Sequence, residues 1–116
     1  MYRGKSRMVG IVILLAVALP GLCFGGTIKV GAMFIASGPV GGYGKHAKQA
    51  IELATEEINA GGGILGMKLE VLFEDTQLKK DVALAHARRF ISEDKVDFLM
   101  GPTSSGLAMA LTELAR

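Results

Sequence analysis

The period of the hydrophobic pattern changes along this chain, and each change predicts an element. Met8 to Leu19 is an unbroken apolar run behind three basic residues, Arg3, Lys5 and Arg7, and Pro20 ends it. From Thr27 to Ile35 the apolar content Ile28, Val30, Met33 and Phe34 predicts a strand. From about Gly44 to Asn59, Ala47, Ala50, Ile51, Ala54 and Ile58 recur at helical spacing, while Lys45, Lys48, Glu52, Glu56 and Glu57 face away. Asn59 and the run Gly61 to Gly63 then supply the left-handed backbone that ends a helix. Lys68 to Glu74 alternates, with Leu69, Val71 and Phe73 on one side, as in a partly covered strand.

Asp75 to Leu78 turns the chain into a second helix, about Lys79 to Glu93, with Ala83, Ala87, Phe90 and Ile91 as its buried stripe. Val96 to Met100 is a short apolar run of the kind a central parallel strand needs, because both faces of such a strand are covered. Gly101 to Gly106 leads into a third helix through Ala108, Leu111, Leu114 and Ala115. The order β-α-β-α-β-α predicts an α/β lobe with a parallel sheet and right-handed crossovers. The pattern contains no repeat at solenoid spacing, no low-complexity tract and no internal linker.

The apolar run at the start is a targeting segment. It falls short of the roughly 20 apolar residues a spanning helix needs, and Cys23-Phe24-Gly25-Gly26 is a small-residue exit. Residues 1–25 are therefore expected to be a signal peptide cleaved after Gly25, with the chain touching a membrane only through it; the alternatives are an uncleaved anchor and, less favoured because Leu22 is bulky, lipoprotein processing at Cys23. The destination is periplasmic or otherwise extracytoplasmic, and residues 26–116 form the lobe. Three of the 13 basic residues leave with the leader and none of the 11 acidic ones do, so the remainder carries a net charge of −1. The basic character belongs to the leader, and no nucleic-acid footprint remains. Lys79-Lys80 and Arg88-Arg89 read as the wet face of a helix. The one cysteine, Cys23, leaves the lobe without an internal disulfide. The sequence stops inside a predicted helix at Arg116, and it is expected to be the front of something larger.

In an open parallel sheet, ligands bind beyond the carboxyl ends of the strands. Two loops qualify: Ala36 to Gly44 after the first strand, and Gly101 to Gly106 after the third. Thr103, Ser104 and Ser105 put hydroxyls at a helix start, where unpaired N–H groups and the positive dipole end attract an anion such as a carboxylate. Equally, one of the three is an N-cap contributing about 1 kcal/mol, and the two roles are compatible. Tyr43, flanked by Gly42 and Gly44, is placed to stack on a ligand's side chain or to pack at the helix start on its own lobe. Asp75 ends a strand at the ligand-facing edge, placed to act in binding or, the preferred reading, to cap a turn.

Gly42-Tyr43-Gly44-Lys45-His46-Ala47 matches the loose pattern G-x-G-x-x-A. The dinucleotide fingerprint places its glycines directly after the strand, with an acidic residue about 20 positions on. Here a long loop with Pro39 intervenes, and Glu74-Asp75 lies about thirty residues downstream, so a nucleotide-dependent oxidoreductase is disfavoured. His46 and His86 lie on predicted helices, facing solvent, without partners at metal or triad spacing, and G-x-S-x-G is absent. Neither catalysis nor a cofactor or metal is expected.

Four blocks carry a family likeness: Ile28-Lys29-Val30-Gly31; Ser37-Gly38-Pro39 with Tyr43-Gly44; Ile58 to Gly62 through Gly66-Met67-Lys68-Leu69; and Gly101 through Ser105. On these the chain resembles the periplasmic solute-binding proteins of branched-chain amino acid ABC importers, the leucine/isoleucine/valine-binding type. The resemblance implies a partial Rossmann-like lobe of a two-lobed type I periplasmic binding protein that closes on its ligand like a hinge. It implies amino acid transport, with a small carboxylate solute and an importer permease as partners. By the same resemblance Ser105 would hold the ligand's α-carboxylate through its hydroxyl and N–H, and Tyr43 would lie against the ligand's side chain. Thr103 and Ser104 have weaker claims. Some members carry a disulfide at the places held here by Gln77 and Ser104, so that staple is absent. The second lobe is also absent from these residues. A sensory ectodomain on the same fold and a non-functional gene fragment are the alternatives.

Overall fold

The computed structural model describes residues 24–116. Six elements alternate: β1 (Thr27–Phe34), α1 (Gly42–Ala60), β2 (Lys68–Asp75), α2 (Lys80–Ser92), β3 (Phe98–Met100) and α3 (Ser105–Leu114). The expected signal peptide falls outside the described residues except for Phe24 and Gly25. Gly25 donates its N–H to the Gly66 carbonyl at 2.9 Å.

The sheet is parallel, in the order β2-β1-β3. β1 pairs with β2 from Thr27↔Lys68 to Phe34↔Asp75, and with β3 from Val30↔Phe98 to Ala32↔Met100. Side chains alternate between the two faces of a strand, so this register decides what each helix meets. Gly31 and Met33, with Leu72 and Leu99 beside Gly31, face α2 and α3, where Met33, Ala87, Phe90 and Leu111 form the buried core. Ala32 and Phe34, with Val71 and Phe73, face α1. The Phe34 and Phe73 rings stack there at 6.0 Å. β1 is thus covered on both faces, as its fully buried Ala32 and Met33 record.

Several expectations are corrected. Within the α1 stripe, Ala47, Ile51 and Ile58 are half-buried but Ala50 and Ala54 are exposed. Among the described residues α1 is the single helix on its face, so the flank of its stripe meets solvent. β3 starts at Phe98 rather than Val96 because Asp97 is engaged in joining the strand. The Asp97 N–H donates to the Lys29 carbonyl, and its carboxylate accepts the Lys29 N–H, both at 2.8 Å. β3 is also an edge of the described sheet, not a strand covered on both faces, and Phe98 is 64% exposed. Ile91 borders that open edge with Phe98 and Leu114 instead of joining the core. Ala115 lies past the end of α3, exposed, and Leu107 is buried in its stead.

The end of α1 uses left-handed glycines at Gly62 and Gly63, as expected, but Gly61 is not left-handed, with φ −80°. Asn59 acts differently: it stays helical, and its side-chain amide bridges to β2. Nδ2 donates to the Leu69 carbonyl and Oδ1 accepts the Leu69 N–H, each at 2.8 Å. The basic pairs also divide. Lys79, Lys80 and Arg88 are exposed, whereas Arg89 reaches across to Glu74 of β2 and bonds Asp94 at 3.2 Å. Hydrogen bonds donated to Glu74 and then to Asp94 hold its guanidinium pKa above the ordinary value. His86, expected to face solvent, is half-buried with Nδ1 3.7 Å from the Glu74 carboxylate.

Candidate ligand site

The loops after β1, β2 and β3 converge at the carboxyl edge of the sheet, which is where an open parallel sheet binds ligands. The β1–α1 loop is built from consecutive turns. Gly41 donates to the Gly38 carbonyl at 3.1 Å, Tyr43 to Val40 at 3.3 Å, and Gly44 back to Ile35 at 2.8 Å. The last bond holds the start of α1 against the end of β1 and leaves the Tyr43 side chain 69% exposed above it.

Asp75 ties this loop to the next. Its Oδ1 accepts the Ala36 N–H and the Gln77 N–H, both at 2.9 Å. Burial alone raises the Asp75 pKa. The hydrogen bonds from Ala36, from the Ser37 hydroxyl, and from the Gln77 and Ser37 N–H groups outweigh it, and the carboxyl titrates below its ordinary value. The turn-capping role preferred from the sequence is the one observed, and the turn it caps lies at the site. Thr76, 1% exposed, sends its N–H to the Phe34 carbonyl at 2.9 Å and accepts the Lys79 N–H at its own carbonyl at 2.9 Å.

Because a depressed carboxyl stabilises the folded state only while ionised, Asp75 contributes fully above its ordinary pKa of about 3.9. That contribution disappears as pH falls through the lowered folded value. Asp75→Ala is expected to cost about 1–3 kcal/mol at pH 7, toward the lower end for a part-exposed group. The gap to wild type is expected to be constant above pH ~5 and to close below pH ~4. Denaturant titrations at a series of pH values check this, and a gap unchanged at pH ~3 would contradict it.

Between the three loops lies a cavity of about 260 Å³ lined by Ile35, Val40, Tyr43, Leu78, Thr103 and Ser104. Two of these, Thr103 and Ser104, belong to the hydroxyl-bearing loop. Ser104 is the N-cap residue of α3, yet its side chain makes no cap hydrogen bond, and the first-turn bond is made by its carbonyl, which accepts the Ala108 N–H at 2.9 Å. The capping role weighed for this hydroxyl is therefore not filled. Ser105 opens α3 beside it, exposed, and is not among the lining residues. Tyr43, Thr103 and Ser104 are thus brought together, with Ser105 adjacent. Ile35, Val40 and Leu78 were not anticipated. For Leu78 the available signal was an apolar residue in a turn at the ligand-facing edge. No lining residue is ionisable other than Tyr43, and among the described residues no group of three or more histidine, cysteine or acidic side chains has metal-binding geometry. The cavity sets an apolar wall beside the hydroxyls of Thr103 and Ser104.

Residues 27–116 match the family described as periplasmic binding protein. The chain belongs to that family. This periplasmic binding protein chain is 38% identical over 88 residues to Leu/Ile/Val-binding protein homolog 7 of Brucella abortus, covering 76% of this chain and 22% of the relative. Among solved structures it is similar to the branched-chain amino acid transporter substrate-binding protein LivJ of Streptococcus pneumoniae, in complex with isoleucine. There the TM-score is 0.71 at 35% identity, over 77% of this chain and 26% of that one. It is also similar to the ABC transporter solute-binding protein of Rhodopseudomonas palustris in complex with 3,4-dihydroxybenzoic acid (TM-score 0.70, 30% identity, 77% and 24% covered). The chain spans about a quarter of the length of such relatives, which are binding proteins rather than enzymes. The fold agrees with the α/β lobe of a type I periplasmic binding protein expected from the sequence.

Proposed function

We propose that this chain forms the first part of the ligand-binding lobe of an exported solute-binding protein serving an ABC importer, and that it binds an amino acid of the branched-chain type or a similar small carboxylate. The observation that carries the proposal is the cavity at the carboxyl edge of the sheet, where an apolar wall meets the hydroxyls at the start of α3. The α3 N-terminus attracts an anion through its free N–H groups and dipole. In this reading Ser105 holds the carboxylate through its hydroxyl and N–H, Thr103 and Ser104 line the same end, and Tyr43 lies against the ligand's side chain. The leader directs the chain to the periplasm and is cleaved after Gly25, and the complete protein delivers its ligand to the importer permease. The likeness to LivJ with isoleucine and to the 3,4-dihydroxybenzoate-bound protein supports this class of ligand. Binding involves no bond making, so no catalytic residue is assigned.

Calorimetry and thermal shift on the complete gene product, read through to its natural stop codon, test the proposal. L-isoleucine, L-leucine, short amides and small organic acids form the panel. Stabilisation by a small carboxylate is expected, and Ser105→Ala is expected to weaken it about tenfold or more, the usual effect of losing a hydrogen bond to a charged group. Silence across the panel would overturn the proposal.

A further inference from the structure

The turn between β2 and α2 holds two consecutive non-glycine residues in the left-handed region, Gln77 at φ 51° and Leu78 at φ 56°. Each such residue carries a conformational cost, and such outliers persist only where neighbours over-determine them. Here the neighbours are identifiable. Asp75 Oδ1 accepts the Gln77 N–H at 2.9 Å, the Thr76 hydroxyl accepts the Leu78 N–H at 3.4 Å, and Thr76 is itself locked into the end of β1.

The result of this forced turn is that a leucine lines the cavity. Leu78 shares the lining with Ile35, Val40 and Tyr43, yet it remains 53% exposed. Within the described lobe much of its apolar surface is therefore left in water, open to an occupant of the cavity. A leucine inside a strained polar turn, aimed at a concavity, has little structural return and a plain binding use.

We propose that Leu78 is a specificity-determining residue of the ligand site, selecting solutes with a branched aliphatic or aromatic body over those with polar or charged side chains. This rests on the reading of the cavity as the ligand site. The selection is physical: covering Leu78 removes apolar surface from water, whereas a charged side chain placed there would lose hydration against a wall that carries no oppositely charged side chain.

The test uses the complete gene product and three probes: L-leucine, L-isoleucine and 3,4-dihydroxybenzoate. For each probe that the wild type binds, Leu78→Ala is expected to weaken affinity about tenfold, the scale of losing a few apolar carbons from a pocket. Leu78→Asp is expected to weaken it about a hundredfold, and Leu78→Met, apolar and of similar volume, to stay within about threefold. Melting temperatures of the three variants should remain close to wild type because the side chain is half in solvent. Alanine and aspartate variants that bind within threefold of wild type, while Ser105→Ala binds more weakly, would overturn the role of Leu78 and leave the site itself standing. A wild type that binds another member of the wider panel but none of these three probes would also overturn the role of Leu78, and silence across the whole panel would overturn both.

Discussion

Phe90→Ala is expected to be among the most damaging single substitutions in the described lobe, costing about 3–5 kcal/mol. The Phe90 ring is fully buried and sits at the centre of the cluster with Met33, Ala87 and Leu111. It packs directly on β1 at Gly31, where an added Cβ would lie 2.5 Å from the ring. The bare backbone at Gly31 and the ring of Phe90 therefore form one contact, and removing the ring leaves a void against a strand that cannot move to fill it. A loss of this size is a large share of the 5–15 kcal/mol that holds a typical domain folded. The neighbouring Ile91 is apolar as well but 40% exposed, so Ile91→Ala is expected to cost less than about 1 kcal/mol. Denaturant unfolding of both variants in the complete gene product provides the comparison. Equal losses would mean that the core does not run through Phe90.

The second large effect is expected at Gly101→Ala, at the joint between β3 and the hydroxyl-bearing loop. Gly101 has φ 98°, and a Cβ there would stand 2.1 Å from the Met33 carbonyl oxygen. Alanine must therefore adopt a backbone conformation that L side chains rarely occupy while also forcing β1 and the loop apart. Together these predict a loss of at least about 3 kcal/mol. Because the displaced backbone leads into Thr103 and Ser104, ligand affinity should fall as well. Gly106→Ala is the contrast. It lies in the first turn of α3, where an added Cβ meets nothing closer than the Ser104 Oγ at 3.9 Å. Alanine there is expected to be neutral or stabilising by up to about 1 kcal/mol. Finding Gly101→Ala as benign as Gly106→Ala would show that the loop tolerates displacement and does not depend on close backbone contact.

Most of the fold was legible because each element carries its own period. The stripe Ala83, Ala87 and Phe90 is buried as the spacing required, and the α/β order led directly to a parallel sheet. The misreadings share one cause: periodicity tells which side chains share a face, not whether anything covers that face. Ala50, Ala54 and Ile91 lie on apolar faces whose flanks meet solvent, and Val96 to Met100 has the composition of a covered strand but stands at an edge. Arg89 and His86 were misjudged for the complementary reason, since their partner Glu74 is distant along the chain and adjacent only once α2 crosses the sheet.

The candidate site divides along the same line. Tyr43, Thr103 and Ser104, which line the cavity, and Ser105 beside it were singled out because loops after parallel strands, glycines and hydroxyls at a helix start are local signals. Ile35, Val40 and Leu78 were not, because nothing local distinguishes an apolar residue that lines a cavity from one that merely ends a strand or sits in a turn.

By itself, then, the sequence determined the element order, the parallel architecture, the family and the position of the hydroxyl-bearing loop after β3, since each depends on residues close together in the chain. Only the tertiary structure decided that Asp75 joins two loops, that Ser104 leaves its capping bond unmade, and that Leu78 turns into the cavity. Those outcomes depend on hydrogen bonds and contacts between segments that become neighbours only when β2, β1 and β3 align side by side.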